Sequence, residues 1–403
     1  MLEHNSKHSG NDKCPVFIAD KCLQCGVCLS VCPVGALSKA QKGNKYHIVV
    51  DSEKCIGCKK CSQYCPSHYI VKDRVNFDRI REGSCFISYA KDKSVGYSSS
   101  SGGTVRAIVS NFLKADSRHR VYTLVTCGNG VKGNLISEAE LDLMPNSIYA
   151  PTMWGENLHQ IHQRCNSFDS LLVIGLPCQI KAAQRVIATY RLQADVRFIA
   201  IMCRKTKDFR LGNYIRKSHR LKKEEPMIFR GNGWPGKIGS PYDESRQSDY
   251  SSFSAIPFGL DIWNIKGCYR CADCLAQDCA DITVGDPWGL KEANSNGCNI
   301  LFVNSPKGEE LIRESSTALF FITISKGNAE TVADKGLLTN KVNRLRFYTG
   351  LDTGLKTRLK YFLLDTKSDL YGIIINKIGH TRIGRSIGKI LLKVDGLLKK
   401  LLA

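Results

Sequence analysis

Apolar positions along the chain recur with two periods, and each period marks an element. Val105, Ile108, Val109, Phe112 and Leu113 fall at helical spacing behind the loop YSSSSGG, so a helix begins near Thr104. Ser or Thr at its cap, and glycine where backbone must approach something closely, make a helix start with free N–H groups that suits a phosphate. Taken alone, the loop reads more plainly as an ordinary cap. Val121–Thr126 reads as a strand. Gly128, Gly130 and Gly133 then fit G-x-G-x-x-G, but no apolar helix opens after Gly133 and Asn129-Gly130 suits a hairpin, so a turn is predicted. The run LLVIGLPCQI at 171–180 is a short strand ending in a Gly/Pro turn with Cys178 at its tip. Lys181–Tyr190 has helical character, and Val196–Met202 is a second apolar strand that ends at Cys203. In such a β-α-β pattern the two cysteines come near each other at one sheet edge, where ligands of open α/β sheets sit. Each cysteine singly reads as a small buried apolar residue.

The C-terminal pattern differs. Ile383, Ile387, Ile390, Leu391, Val394, Leu397, Leu398 and Leu401 form one apolar stripe, with Arg385, Lys389, Lys393, Lys399 and Lys400 elsewhere around the helix. A basic amphipathic helix of this kind either contacts a membrane surface or packs on its own domain or a partner. Gly384, Gly388 and Gly396 weaken it in isolation. The longest apolar runs, SLLVIGLP and YGIIIN, are too short to cross a bilayer.

Length and charge narrow the classes. A chain of 403 residues has room for two or three domains. The net charge is +21, and from Lys341 onward 14 Lys/Arg face 4 Asp, so about half of the excess sits in the last 63 residues. A basic surface suits nucleic acid, membrane or an acidic partner protein. Nucleic-acid motifs are missing and the 8% aromatic content forms no stacking platform, so no nucleic-acid partner is expected. The 19 cysteines cluster in short runs rather than a disulfide lattice, which points to a reducing compartment. With the polar start MLEHNSKHSGNDK, which is no signal peptide, this predicts a cytoplasmic protein, peripheral at the inner membrane surface if the tail docks there.

The densest chemistry lies between Cys22 and Cys65. CLQCGVCLSVCP and CIGCKKCSQYCP are each C-x2-C-x2-C-x3-C-P, the run that ligates clusters in bacterial-type two-cluster ferredoxins. Three thiolates on one tight loop reach three corners of a 4Fe-4S cubane; the fourth crosses to the other cluster, and the proline turns the chain away. Cys22, Cys25, Cys28 and Cys65 are therefore assigned to one cluster, and Cys55, Cys58, Cys61 and Cys32 to the other. Zinc sites take two C-x2-C pairs rather than triplets, and a disulfide framework needs a secreted chain. Cys14 precedes the pattern and reads as an extra thiol. A second dense stretch, GCYRCADCLAQDCADITVGDPWG at 267–289, holds Cys268, Cys271, Cys274 and Cys279 without the closing proline. Either all four bind one cluster, or Cys268 and Cys271 join Cys178 and Cys203; spacing does not choose.

With these stretches in place, the chain resembles the beta-subunit family of coenzyme F-420 hydrogenases and dehydrogenases, in the form carrying an N-terminal ferredoxin. The resemblance covers roughly residues 14–325. It rests on the order and separation of SSSGG (99–103), GLPCQ (175–179), IMC (201–203), FRGNGW (229–234), CYRC (268–271), ADITVGDPWG (280–289) and NGCNILFVNSPKG (296–308). It implies an α+β and α/β chain: a bacterial-type ferredoxin module (14–80) and a mixed α/β flavin- and cluster-binding domain (84–165 with the flavin loop, 166–330 with a third cluster), to which the residue pattern itself adds a basic, partly amphipathic helical tail (331–403). It implies FAD mediating between a two-electron hydride carrier, coenzyme F-420 in the archaeal members, and one-electron 4Fe-4S clusters. It also assigns Cys178, Cys203, Cys268 and Cys271 to a third cluster, leaving Cys274 and Cys279 as extras. Ser101, Gly102, Gly103 and Thr104 become the flavin-phosphate loop, with Asp281, Gly285 and Asp286 in a motif near the site that reads equally well as a structural turn.

The flavin carries the chemistry of such a protein, so no side-chain nucleophile is expected. Two features depart from the family. Arg204 and Lys205 follow Cys203 where many relatives have His-Gly, which brings an acidic ligand into view. The basic tail after Lys341 lies outside the resemblance. The favoured reading is an F-420-dependent oxidoreductase exchanging electrons with a redox partner protein. The alternatives are a flavin and iron–sulfur reductase of a small-molecule or lipid-linked saccharide intermediate, in a bacterium lacking F-420, and an electron-transfer subunit with no substrate of its own.

Overall fold

The computed structural model describes residue 17 and residues 20–68, 80–128, 130–290, 296–333, 335–348 and 354–401. Cys14, residues 69–79 of the expected ferredoxin module and the side chain of Leu401 lie outside the described residues.

Two cysteine loops and a hairpin make up the N-terminal module. β1 (Leu37–Lys42) pairs antiparallel with β2 (Lys45–Val50), from Leu37 opposite Val50 to Lys42 opposite Lys45. Each cysteine loop runs into a single helical turn, Val27–Ser30 or Lys60–Gln63, entered through a left-handed residue, Gly26 at φ 80° or Lys59 at φ 58°. The module is welded to the body of the chain. Gly155 N–H donates to the Cys25 carbonyl at 2.7 Å. A Cβ at Gly26 would come within 2.6 Å of the Met153 carbonyl oxygen, and one at Gly267 within 2.4 Å of that of Cys22. Cys25 and Val27 share one buried cluster with Tyr122, Trp154 and Leu171.

Four parallel strands run through the middle of the main sheet: β4 (His119–Cys127), β6 (Ser170–Gly175), β7 (Asp195–Ile201) and β11 (Ile282–Gly285). β5 (Gly130–Ile136) closes one edge as the hairpin partner of β4, at the turn read from the sequence. On the other side β12 (Asn299–Val303), β3 (Cys85–Ala90) and β13 (Leu319–Thr323) continue antiparallel. The eight strands stand in the order β13-β3-β12-β11-β7-β6-β4-β5. Strands covered on both faces lose the in–out alternation, which is why β6 and β7 read as nearly unbroken apolar runs. α1 (Thr104–Ala115) covers one face, packing Ile108, Val109 and Phe112 with Val121, Leu172 and Ile199. α2 (Pro177–Ile187) covers the other, packing Ile180, Ala183 and Val186 with Leu171, Val173 and Phe198. Each fully buried Val, Leu or Ile here stabilises the fold by about 1.5–3 kcal/mol.

From Met202 to Asp281 the chain leaves the sheet. It forms α3 (Phe209–Ser218), a three-stranded sheet of β8 (Ile228–Gly231), β9 (Lys237–Gly239) and β10 (Gln247–Asp249), then α4 (Tyr250–Gly259) and the second cysteine loop. After β12 comes α5 (Pro306–Glu314), and the tail is three helices, α6 (Lys335–Tyr348), α7 (Leu355–Ile378) and α8 (Arg382–Leu401). The tail folds onto the body. Trp263 Nε1–H donates to the Gly372 carbonyl at 3.0 Å, and a Cβ at Gly388 would meet the Ile256 side chain at 2.7 Å.

Candidate functional site

Adjacent parallel strands deliver two of the cysteines. β6 ends at Gly175 and β7 at Ile201, so Cys178, in the first turn of α2 rather than on the loop tip expected, and Cys203, just past β7, leave the sheet at the same edge. The second cysteine loop folds against them: Cys268, Cys271 and Cys178 pack with Leu23 and Ile265. Cys271, Cys203, Cys25 and Cys268 are the cysteines whose charges Cys178 feels. In the N-terminal module Cys22, Cys25 and Cys28 gather with Cys65. Cys32, Cys55, Cys58 and Cys61 ring a void of about 20 Å³. Cys28 also neighbours Cys61, so the three groups follow one another.

Burial first, and crowding by other cysteines second, push the thiols of Cys25, Cys28 and Cys178 far above the usual range. No disulfide joins the cysteines among the described residues. Buried thiols crowded in this way ionise together only around a shared cationic centre, which is what an iron–sulfur cluster provides. Cys279 stands apart from the tetrads, beside Asp273 and Asp278. Lys181 already pairs with both carboxylates, at 2.9 and 3.0 Å.

One residue here was invisible to motif reading. Lys341 of α6 is buried, and its ammonium donates to the carbonyls of Cys203 at 3.1 Å and Asp273 at 3.2 Å. Burial alone would lower its pKa, but the surrounding Cys271, Cys274, Cys203 and Cys268 push it well above the usual lysine value. A lone lysine outside every motif carries no sequence signal of such a place.

A cavity of about 820 Å³ lies along the carboxyl ends of the parallel strands, touched by Thr123 of β4, Gly175 of β6, Gly285 of β11 and Cys203 beyond β7. Its size is that of a large-cofactor site. Ser101, Gly103 and Thr104 line one end at the start of α1. Gly102 and Gly103 are left-handed, at φ 64° and 74°, and a Cβ at Gly102 would meet the Cys298 Cα at 2.6 Å. The Ser101 and Thr104 hydroxyls turn inward, donating to the carbonyls of Cys298 at 2.6 Å and Ser88 at 3.0 Å. No side chain caps α1, so its first-turn N–H groups are what the loop offers a phosphate. Leu23 and Gln24 of the first cysteine loop, and Lys360, Tyr361 and Lys399 of the tail, complete the walls.

Gly285 and Asp286 line this cavity, but Asp281 does not. The expected cofactor contact at Asp281 is corrected by strand direction: Asp281 precedes β11, at the end away from the cavity. Its carboxylate accepts from Phe198 N–H at 2.7 Å and the Ser305 hydroxyl at 2.5 Å, and so ties β7 to the start of α5.

Nine Lys/Arg among the described residues line the cavity against two lining carboxylates, Asp261 and Asp286, and of these cations Arg344, Lys367 and Lys399 also pair with Asp365 and Asp395 outside the lining. Asp261 accepts from Lys205 at 2.7 Å and from Arg344. Burial would raise its pKa, yet Lys205, Arg344 and Lys207 hold it far below the usual carboxylate range. Lys207 is buried, donates to the Pro257 and Ile262 carbonyls at 2.9 and 2.8 Å, and is brought down to about 7 by desolvation. Arg230, fully buried, pairs with Asp286 at 2.5 Å and sits 4.7, 4.9 and 5.0 Å from the rings of Trp234, Tyr250 and Trp288. Asp286 is thereby neutralised, and Arg204 and Lys205 both face the cavity.

Residues 168–326 match the family model for the C terminus of the coenzyme F-420 hydrogenase/dehydrogenase beta subunit, and residues 7–69 match that for the 4Fe-4S dicluster domain. The two matches fall on separate stretches, an iron–sulfur module followed by a region similar to the C terminus of that beta subunit, in the order the chain's motifs led us to expect. Among solved structures it is similar to a chain of the xenon-derivatised F-420-reducing NiFe hydrogenase complex from Methanosarcina barkeri. Identity is 16% and the TM-score 0.47, over 69% of this chain and 97% of that one. A search of curated proteins finds no match.

Proposed function

We propose that the protein is an iron–sulfur flavoprotein oxidoreductase that exchanges electrons between a hydride carrier bound in the cavity and a chain of three 4Fe-4S clusters. The observation that supports it is continuity. The cavity reaches Cys203, Cys178 neighbours Cys25, Cys28 neighbours Cys61, and Cys58 is exposed at the far end. Cys178, Cys203, Cys268 and Cys271 hold the cluster nearest the cavity; the two cysteine runs of the N-terminal module hold the others. The first-turn N–H groups of Thr104, Val105 and Arg106 take the phosphate of FAD. A flavin bound there supplies the exchange between a hydride and single electrons. The chain's own residues bind and orient: Gly102 and Gly103 keep the loop close to the helix start, and the cation excess selects an anionic carrier, F-420 or an analogue. Cys58, with exposed Ile56 and Val34 beside it, is where a redox partner protein meets the chain.

The test is anaerobic reconstitution with iron, sulfide and FAD, followed by flavin bleaching on addition of reduced F-420, NADH or NADPH. Bleaching by F-420 alone is expected. Retained flavin that no hydride donor bleaches would move the reading to a reductase of another small anionic molecule. Iron without flavin would overturn the flavoprotein reading and leave an electron carrier.

A further inference from the structure

We infer that the α7–α8 hairpin is a docking surface for an anionic lipid bilayer. This goes beyond the oxidoreductase reading and does not depend on it.

Only Gly379–Thr381 separate the two helices, which therefore run antiparallel, and Lys367 of α7 pairs with buried Asp395 of α8 at their seam. α7 sets Tyr361, Ser368, Tyr371, Gly372 and Ile375 toward the body. On its opposite face Leu355, Leu359, Phe362, Leu370 and Ile373 are exposed, Leu355 at 83% and Phe362 at 63%. α8 packs Gly384 and Gly388 inward and exposes Ile383, Ile390, Val394 and Leu397, the first at 73% and the last at 62%.

The two stripes form one surface. At roughly 100° per residue, each stripe lies about a quarter to a third of a turn from its seam residue, in the same rotational sense along its own helix. Because the helices point in opposite directions, equal senses bring both stripes to the same side, facing away from the body. A contiguous apolar platform two helices wide is the result, and exposed patches of that kind mark interaction sites.

Charge identifies the occupant. From Gly354 to Leu401 the chain has 11 Lys/Arg and 3 Asp. Asp395 is buried with Lys367 and Lys399, and Asp365 pairs with Arg344, so two of the three acids are already neutralised. Arg382, Lys389, Lys393 and Lys400 form an exposed column along the flank of the α8 stripe. An apolar face bordered by a basic column matches the boundary between acyl chains and anionic headgroups. No helix among the described residues is long and apolar enough to cross a membrane, so the hairpin lies on the surface. The same helices wall the cavity through Lys360, Tyr361, Lys367 and Lys399, so the docked hairpin would stand between the cavity and the headgroups.

The experiment uses the full, cluster-loaded chain in vesicle sedimentation. Vesicles are phosphatidylcholine alone or with about one-third phosphatidylglycerol. Binding to the anionic vesicles, weakening with added salt, is expected. Leu359→Glu with Phe362→Glu, or Ile390→Glu with Leu397→Glu, should each lower partitioning roughly ten-fold or more while iron content and cluster absorbance stay unchanged. Lys389→Glu with Lys393→Glu and Lys400→Glu should abolish the preference for anionic vesicles. Equal binding by the apolar pairs and the unaltered chain would overturn the proposal, as would failure of the unaltered chain to bind. A solution dimer that these pairs split into monomers, with no vesicle binding, would assign the face to a second copy instead.

Discussion

Replacing Lys341 by methionine removes a buried positive charge from the cysteine group that we propose holds the third cluster. The reduced cluster carries one more negative charge than the oxidised one, so a nearby cation favours reduction, and its loss must lower the midpoint potential. The ammonium donates to the backbone of a proposed ligand, Cys203, and solvent does not screen it. For an assumed separation of about 6 Å and an effective dielectric of about 20, the interaction would be about 3 kcal/mol. At about 59 mV per 1.4 kcal/mol for a one-electron couple, that is roughly 100 mV. Redox titration followed by electron paramagnetic resonance, on reconstituted protein with its iron counted, reads it directly. Lys341→Met should lower one of three potentials by about 100 mV, and Lys341→Arg by under about 30 mV. A methionine variant with full iron and all three potentials within about 20 mV of the original would refute the reasoning.

Three more perturbations test other parts of the site. Cys178→Ser should reduce bound iron from about twelve to about eight atoms per chain, with the ferredoxin-type signals retained, whereas Cys279→Ser should keep all of it; iron analysis decides. Gly102→Ala forces a side chain into left-handed backbone and against the Cys298 Cα, so flavin content should fall and thermal unfolding should show a loss of at least about 1–2 kcal/mol. Lys207 has its pKa depressed to about 7 by burial, so between about pH 7 and 10 the unfolded chain binds more protons than the folded one and stability rises with pH. Lys207→Met should flatten that rise in denaturant titrations across the window, and an unchanged slope would contradict it.

What the sequence made legible was what local pattern can carry. The cysteine runs state their chemistry in their spacing, and β6 and β7 are readable because strands buried on both faces leave an unbroken apolar run. The start of α1 shows itself through its Ser–Gly loop and the helical recurrence behind it. The sheet edge was not legible: β3 lies between β12 and β13, strands more than 200 residues later, and pairing over such a separation leaves no local mark. Residues between Lys205 and Gly267 gave no reading beyond one short motif. α4 carries Pro257 inside it and buries residues on several sides against α3 and the tail, which erases the periodicity. Asp281 went astray because a motif gives a neighbourhood and not a strand direction. Lys341 was missed because its role arises only once α6 lies against the second cysteine loop.

The weld between the N-terminal module and the body has a kinetic consequence. A cofactor carrier on a flexible arm must swing and search, and its turnover slows as the solvent thickens. Here Gly26, Gly155 and Gly267 hold backbone against backbone, so a Cβ at any of them would collide with a neighbouring chain segment. The gap between the first and third cysteine groups is therefore a constant of the fold. Under the proposed function, electron passage between clusters held there is tunnelling across a set distance, indifferent to viscosity. On that proposal diffusion enters only at the two ends, where the carrier would arrive and the partner depart.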